Sequence, residues 1–253
     1  DLVRSRGLGD VYKRQLMNSR AKMLGMNGTV YTDCTGMGEG NVTTAKDTAL
    51  LCSELAKYKN LTPYLTCWLD TVRDGKAELV NLNRLVRTYK GVTGMKAWGS
   101  ENAGSCIAAT AEKGDMSVCV VLNGCDSQED MNAEAKKLLN LAFDTYEIYT
   151  PELPEDMVKE TVVCGGEELS VELAPKGLYP IVIPRGTYRM VECDFTAEEK
   201  LDAPVKNGET AGEIRYTMGG EVILEGKIVA CKEVKKMNFI CGIKKLVYNL
   251  LSM

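Results

Sequence analysis

The chain is 253 residues long, 45% hydrophobic and 26% charged, which fits one large or two modest globular domains and excludes a disordered chain. Its formal net charge of −4 argues against a general nucleic-acid binder, which needs a basic face to displace counterions. There is no histidine, and that excludes Ser-His-Asp triads, Cys-His dyads and His-ligated zinc or haem.

The first fifteen residues, DLVRSRGLGDVYKRQ, carry four basic residues against two acidic ones and no apolar stripe. They also lack the long apolar stretch of a secretory signal. The segment 1–15 reads as foreign or disordered, resembling translated sequencing-adapter read-through, so fold reasoning starts at Leu16. Met17, Ala21 and Leu24 lie on one helical face and Gly25 follows as a stop, which predicts a helix end over 16–24. Thr44 with Asp47 three residues on marks a second helix start, continued by Leu51, Leu55 and Tyr58. Gly91–Trp98, Cys106–Ala111 and Met116–Leu122 read as strands, the last two joined by the hairpin signal Glu112-Lys-Gly-Asp115. A third helix begins near Ser127 and Asp130, with the stripe Met131, Ala135, Leu138, Leu139, Ala142 and Tyr146. Three neighbouring strands followed by a long helix predict a layered α/β domain over 16–149.

Beyond Tyr149 the pattern changes. Pro151 and Pro154 mark a linker. Short β-rich runs follow at 160–164, 168–173, 180–192, 213–217 and 221–231, with Met218-Gly-Gly-Glu221 as a tight turn. Residues 150–236 therefore read as a small all-β domain.

The ten cysteines stand singly, with no Cys-x-x-Cys pair, so structural zinc or an iron–sulfur cluster is not indicated. Most of these thiols read as buried filler. Asp70, Asp74 and Glu78 read as solvated surface.

The segment from Gly91 to Cys106 carries the chemistry. It holds four glycines and a lone Lys96, the lysine on an otherwise apolar strand. A lysine presented there can hold a substrate carboxylate or tune a neighbouring nucleophile. The bland reading is a solvated lysine blunting an edge strand. Trp98 taken alone reads as a packed anchor.

Met17-Asn18, Ala21 and Leu24-Gly25-Met26 resemble the helix end of the low-molecular-mass penicillin-binding proteins, the serine-type D-alanyl-D-alanine carboxypeptidases. The resemblance continues through Thr29, Gly36, Thr44–Asp47, Asn81–Leu85, Gly91–Lys96, Ala103–Cys106, Ala109–Ala111 and Leu138–Tyr146. It reaches the all-β segment at Leu201–Val205, Gly208 and Ala211-Gly212. What it implies is a partial penicillin-binding/β-lactamase-like α/β domain followed by the all-β domain. The implied activity is removal of the terminal D-Ala from peptidoglycan stem peptides, through acylation of a serine and then hydrolysis. A non-catalytic peptidoglycan-binding or scaffolding protein is the alternative. The family's three active-site elements are Ser-x-x-Lys, Ser-x-Asn and a Lys-Thr-Gly strand. No Ser-x-x-Lys stands in the family's place, so the nucleophile is expected to be missing from this chain. Lys96 matches the lysine of the third element and is the implied catalytic residue. Gly94, Ala97, Trp98, Gly99 and Ser100 are the implied substrate-binding residues. Ala97 and Trp98 stand where the family has Thr and Gly, while a slipped register would let Gly99 and Ser100 supply those roles. No metal or cofactor is implied. The implied partners are the peptidoglycan pentapeptide stem and, for the intact enzyme, β-lactam antibiotics. The implied location is the extracytoplasmic face of the bacterial cytoplasmic membrane.

Residues 237–253 return to helical spacing, with Phe239/Ile240, Ile243, Leu246/Val247 and Leu250/Leu251 on one side. Lysines 232, 235, 236, 244 and 245 against Glu233 make this end basic. An apolar face beside a basic one predicts an amphipathic helix on an anionic membrane surface, too short and too charged to span it.

Overall fold

The structure, a computed structural model, describes residues 2–36, 40–239 and 243. The chain divides into two compact units, Asp1–Thr145 and Tyr146–Met253.

The first unit opens with α1 (Leu2–Met23), so the segment expected to be foreign or disordered is helical from Leu2. An unbroken backbone ladder needs no apolar stripe to register as helix, and the pattern before Leu16 gave no such stripe to read. The end of α1 falls as expected. Gly25 adopts a left-handed φ of 76°, and the Met26 N–H reaches the Ala21 carbonyl at 2.9 Å while Gly25 N–H reaches Lys22 at 3.0 Å. These two bonds satisfy carbonyls that the last turn would leave bare.

In α2 (Ala45–Ala56), the Thr44 hydroxyl accepts from the Asp47 N–H at 3.1 Å. Asp47 does not complete a reciprocal capping box. Its buried carboxylate instead accepts from the Gly28 N–H at 2.8 Å and the Thr29 hydroxyl at 2.7 Å, pinning the loop after α1 to the start of α2. Glu54 adds a second tie, pairing with Arg20 of α1 and with Lys57.

Next come α3 (Thr62–Leu65), the hairpin β1 (Leu69–Val72) and β2 (Ala77–Val80), and the single turn α4 (Leu85–Thr88). Asp70, Asp74 and Glu78 are all exposed on this hairpin. The main sheet is antiparallel, in the order β3 (Val92–Ser100), β4 (Gly104–Lys113), β5 (Met116–Cys125). Every residue of β4 from Cys106 to Ala111 is buried. Consecutive burial means both faces of the sheet are covered. Both α2 and α5 (Gln128–Thr145) pack on β4 and β5. The Ser127 hydroxyl accepts from the Asp130 N–H at 3.0 Å and starts α5. Its buried row is Met131, Ala135, Leu139 and Phe143. Leu138 is partly exposed, and Tyr146 lies beyond the helix end, so the stripe is a narrower i, i+4 row than the spacing suggested.

The second unit is all β. Its strands are β6 (Tyr146–Tyr149), β7 (Glu160–Cys164), β8 (Ser170–Lys176), β9 (Ile181–Pro184), β10 (Val191–Ala197), β11 (Lys200–Asp202), β12 (Thr210–Met218) and β13 (Glu221–Ala230). Six form one sheet in the order β10-β12-β13-β8-β7-β11, and β6 pairs with β9. The run expected at 180–192 is two strands, interrupted by Arg185-Gly186 and a 3₁₀ turn at Tyr188–Met190. The β12–β13 turn uses Gly219 and Gly220 at φ 61° and 85°, the pair of positive φ values a two-residue hairpin of matching twist requires. The core gathers Val171, Leu173, Val205, Ile214, Tyr216, Ile228 and Val234. The amphipathic helix expected over 237–253 lies outside the described residues apart from 237–239 and 243, of which Phe239 and Ile243 are exposed.

The cysteines depart from the filler reading. Among the described residues only Cys52 and Cys106 are buried, while Cys67, Cys164 and Cys231 are exposed. Cys34, Cys67 and Cys231 lie outside helices and strands, and Cys125 and Cys164 end their strands, positions that hydropathy along the chain does not distinguish from core.

Candidate functional site

Strand β3 holds all six residues singled out for the site: Gly94, Lys96, Ala97, Trp98, Gly99 and Ser100. It is an edge strand, paired with β4 on one side. The strand period of two puts Lys96, Trp98 and Ser100 on one face and Ala97 and Gly99 on the other. Lys96 is exposed between buried Met95 and buried Ala97. Its ammonium has no ion-pair partner among the described residues, so the charge is available to an incoming anion.

Gly94 is fixed by its surroundings. It is buried with a φ of 149°, and a Cβ there would lie 3.1 Å from the Cβ of Leu65 in α3. Only glycine meets both demands. Its carbonyl receives the side-chain amide of Asn83 at 3.4 Å. Asn83 is fully buried, and its side-chain oxygen accepts the Leu85 N–H at 3.1 Å. Asn81 supports it in turn. The Asn81 side-chain oxygen accepts the Asn83 N–H at 2.9 Å, and its amide donates to the Leu65 and Cys67 carbonyls at 3.2 and 3.0 Å. Two asparagines thus tie the loop after β2 to the strand that carries Lys96. The sequence shows both residues but not this positioning role, because the bond from Asn83 to Gly94 spans two different elements.

Trp98 is half-buried and packs on the cluster of Cys52, Met95 and Ala108, as an anchor would. Ala97 is buried and carries no hydroxyl. Gly99 runs close to β4, where a Cβ would lie 3.2 Å from the Gly104 carbonyl oxygen. The Ser100 hydroxyl accepts the Ala103 N–H at 3.1 Å and closes the β3–β4 turn. Its proton stays free to donate. The space between α2, α3 and β3 that Thr93 and Met95 line is about 10 Å³, room for at most one water.

A literal Ser-x-x-Lys does occur, at Ser19-Arg-Ala-Lys22 in α1, and sequence reading passed over it. Both side chains are exposed, with no hydrogen bond joining them among the described residues. A nucleophile needs a base within hydrogen-bond reach and a sheltered site, and this pair has neither.

A cavity of about 590 Å³ lies in the second unit, bordered by Lys176, Arg215, Glu225 and Lys227 among others. None of the six site residues lines it. Among the described residues no helix is long and apolar enough to cross a membrane.

Residues 14–126 match the family described as D-alanyl-D-alanine carboxypeptidase, and residues 143–236 match penicillin-binding protein 5, C-terminal domain. D-alanyl-D-alanine carboxypeptidase DacF of Bacillus subtilis is 31% identical over 234 residues, covering 90% of this chain and 60% of that protein. D-alanyl-D-alanine carboxypeptidase DacC of Escherichia coli is 29% identical, covering 88% of this chain and 56% of that protein. The chain therefore spans rather more than half the length of these curated relatives. Penicillin-binding protein 5 from Haemophilus influenzae superposes with a TM-score of 0.73 at 23% identity, over 88% of this chain and 65% of that one. That likeness is one of fold.

Proposed function

This chain belongs to the D-alanyl-D-alanine carboxypeptidase family of low-molecular-mass penicillin-binding proteins, and on that premise we propose that it is part of a serine-type enzyme of the cell wall. The whole protein removes the terminal D-Ala from peptidoglycan stem peptides and binds β-lactams at the same site. The observation that carries this reading is Lys96, exposed on an edge strand and, among the described residues, without an ion-pair partner. An extended peptide can add along such an edge through its backbone. Lys96 then holds the terminal carboxylate as a charge-assisted partner, and Gly94, Ala97, Trp98, Gly99 and Ser100 form the rail beneath it. The acyl-forming serine and its lysine base lie outside this chain, which by itself performs no acylation. The enzyme works on the extracytoplasmic face of the bacterial membrane, held there by 237–253.

One observation favours the second reading, a peptidoglycan-binding protein without catalysis. Ala97 offers no hydroxyl, and Trp98 fills its place by packing on Cys52, Met95 and Ala108. Extending the reading frame upstream and assaying the extended protein for D-Ala release from a pentapeptide separates the two. Release supports the enzyme. Peptide binding without release, with no Ser-x-x-Lys upstream, supports the scaffold.

A further inference from the structure

We propose that Cys52 and Cys119 are the two halves of a disulfide that staples α2 to β5. Cys52 lies in α2 and is 4% exposed, while Cys119 is half-buried on β5. They meet in one apolar cluster with Met95 and Ala108. The register sets Cys119 opposite Thr110, so its side chain shares the face of β4 that carries Ala108. That is the face on which Cys52 packs. The two thiols interact across the cluster: their coupling, with burial, pushes the Cys119 thiol up, and the same coupling pulls the Cys52 thiol down. Neither sulfur is needed to fill apolar space, since alanine or valine would serve. A pair of thiols meeting from two elements far apart in sequence is what a cross-link requires.

The reaction is thiol–disulfide exchange with a small-molecule disulfide, of which oxidised glutathione is the probe. Cys52, whose thiol its neighbour pulls down, attacks one sulfur of the oxidant as its thiolate; the oxidant S–S bond breaks and one small thiolate leaves. The Cys119 thiolate, freed of its negative neighbour, then attacks the Cys52 sulfur, and the second small thiolate leaves. Two electrons pass from the protein to the oxidant, and the protons given up by Cys52 and Cys119 end on the two small thiols. The bond closes a loop containing β1 to β4 and restricts the unfolded chain. It also fixes the cluster that supports Met95, the residue before Lys96.

The test is peptide mapping of the full chain, purified reduced, then incubated with oxidised glutathione at mildly alkaline pH, denatured and alkylated without reduction. The expected product is a tryptic peptide containing Cys52 joined to the peptide Gly114–Lys136. That second peptide also holds Cys125, so fragmentation must place the bond on Cys119, and the link must persist in Cys125→Ser. Recovery of Cys52 and Cys119 separately alkylated or separately capped by glutathione would overturn the proposal. So would a bond from either residue to any other cysteine.

Discussion

Asn83 donates its side-chain amide to the carbonyl of Gly94, two residues before Lys96, while accepting the Leu85 N–H on its own oxygen. A fully buried side chain therefore holds the strand on which Lys96 sits. Removing it leaves a buried donor and a buried acceptor unpaired, at a cost of about 1–3 kcal/mol. Asn83→Ala should lower the unfolding free energy of the first unit by that amount, read as a shift of its urea midpoint to lower concentration. Both tryptophans, Trp68 and Trp98, lie in this unit, so their fluorescence follows it alone. An unchanged midpoint would show that the two bonds do not hold the strand.

Trp98 couples packing to the substrate strand. Full truncation of a buried aromatic costs about 3–5 kcal/mol, and a half-buried one correspondingly less, so Trp98→Gly should destabilise the first unit by about 2 kcal/mol. In a protein extended upstream to carry a Ser-x-x-Lys element, Ala97→Thr with Trp98→Gly should nevertheless raise acylation. A regained hydrogen bond to a charged group is worth about 1.5–3 kcal/mol, or roughly tenfold and more in rate. If Ser100 is the donor instead, the double substitution does nothing and Ser100→Ala is the damaging change.

Glu54 predicts an acid-sensitive link between α1 and α2. A hydrogen bond from Lys57, with the charge of Arg20 beside it, holds its carboxyl below the ordinary value of 4.5. A lowered folded value means the stabilisation is complete above the unfolded value and is lost as pH falls through the folded one. Thermal melts from roughly pH 6 down to pH 3 should show a fall in stability that is shallower in Glu54→Gln. Identical pH profiles for the two proteins would remove Glu54 from the account of acid sensitivity.

Much of this fold can be read from local signals, because they act over a few residues. Gly25 stops α1 by its left-handed φ, Thr44 caps α2, and Gly219-Gly220 turns β12 into β13. The β1–β2 hairpin escapes such reading although Asp74-Gly75 marks its turn, since its four-residue strands are mostly exposed and show no apolar alternation. Lys96 is legible as an isolated charge in an apolar run. Its support is not, because Asn83 and Gly94 meet only when the loop folds back on β3. The meeting of Cys52 with Cys119 is hidden for the same reason.

The C-terminal segment offers a test independent of the active site. Co-sedimentation with anionic vesicles at low salt should pull down the full chain and leave a chain ending at residue 236 in solution, because the apolar face and its lysines go together. Equal recovery of both in the supernatant would refute the membrane anchor.

The most direct measurement is labelling of this chain with a fluorescent penicillin, read on a denaturing gel. Under the proposed reading Lys96 holds a carboxylate and supplies no acyl-forming hydroxyl, and among the described residues no base is bonded to exposed Ser19 in α1. The expected result is no band that survives denaturation. A stable labelled band, above all one lost in Ser19→Ala, would contradict the reading of this chain as substrate strand without nucleophile.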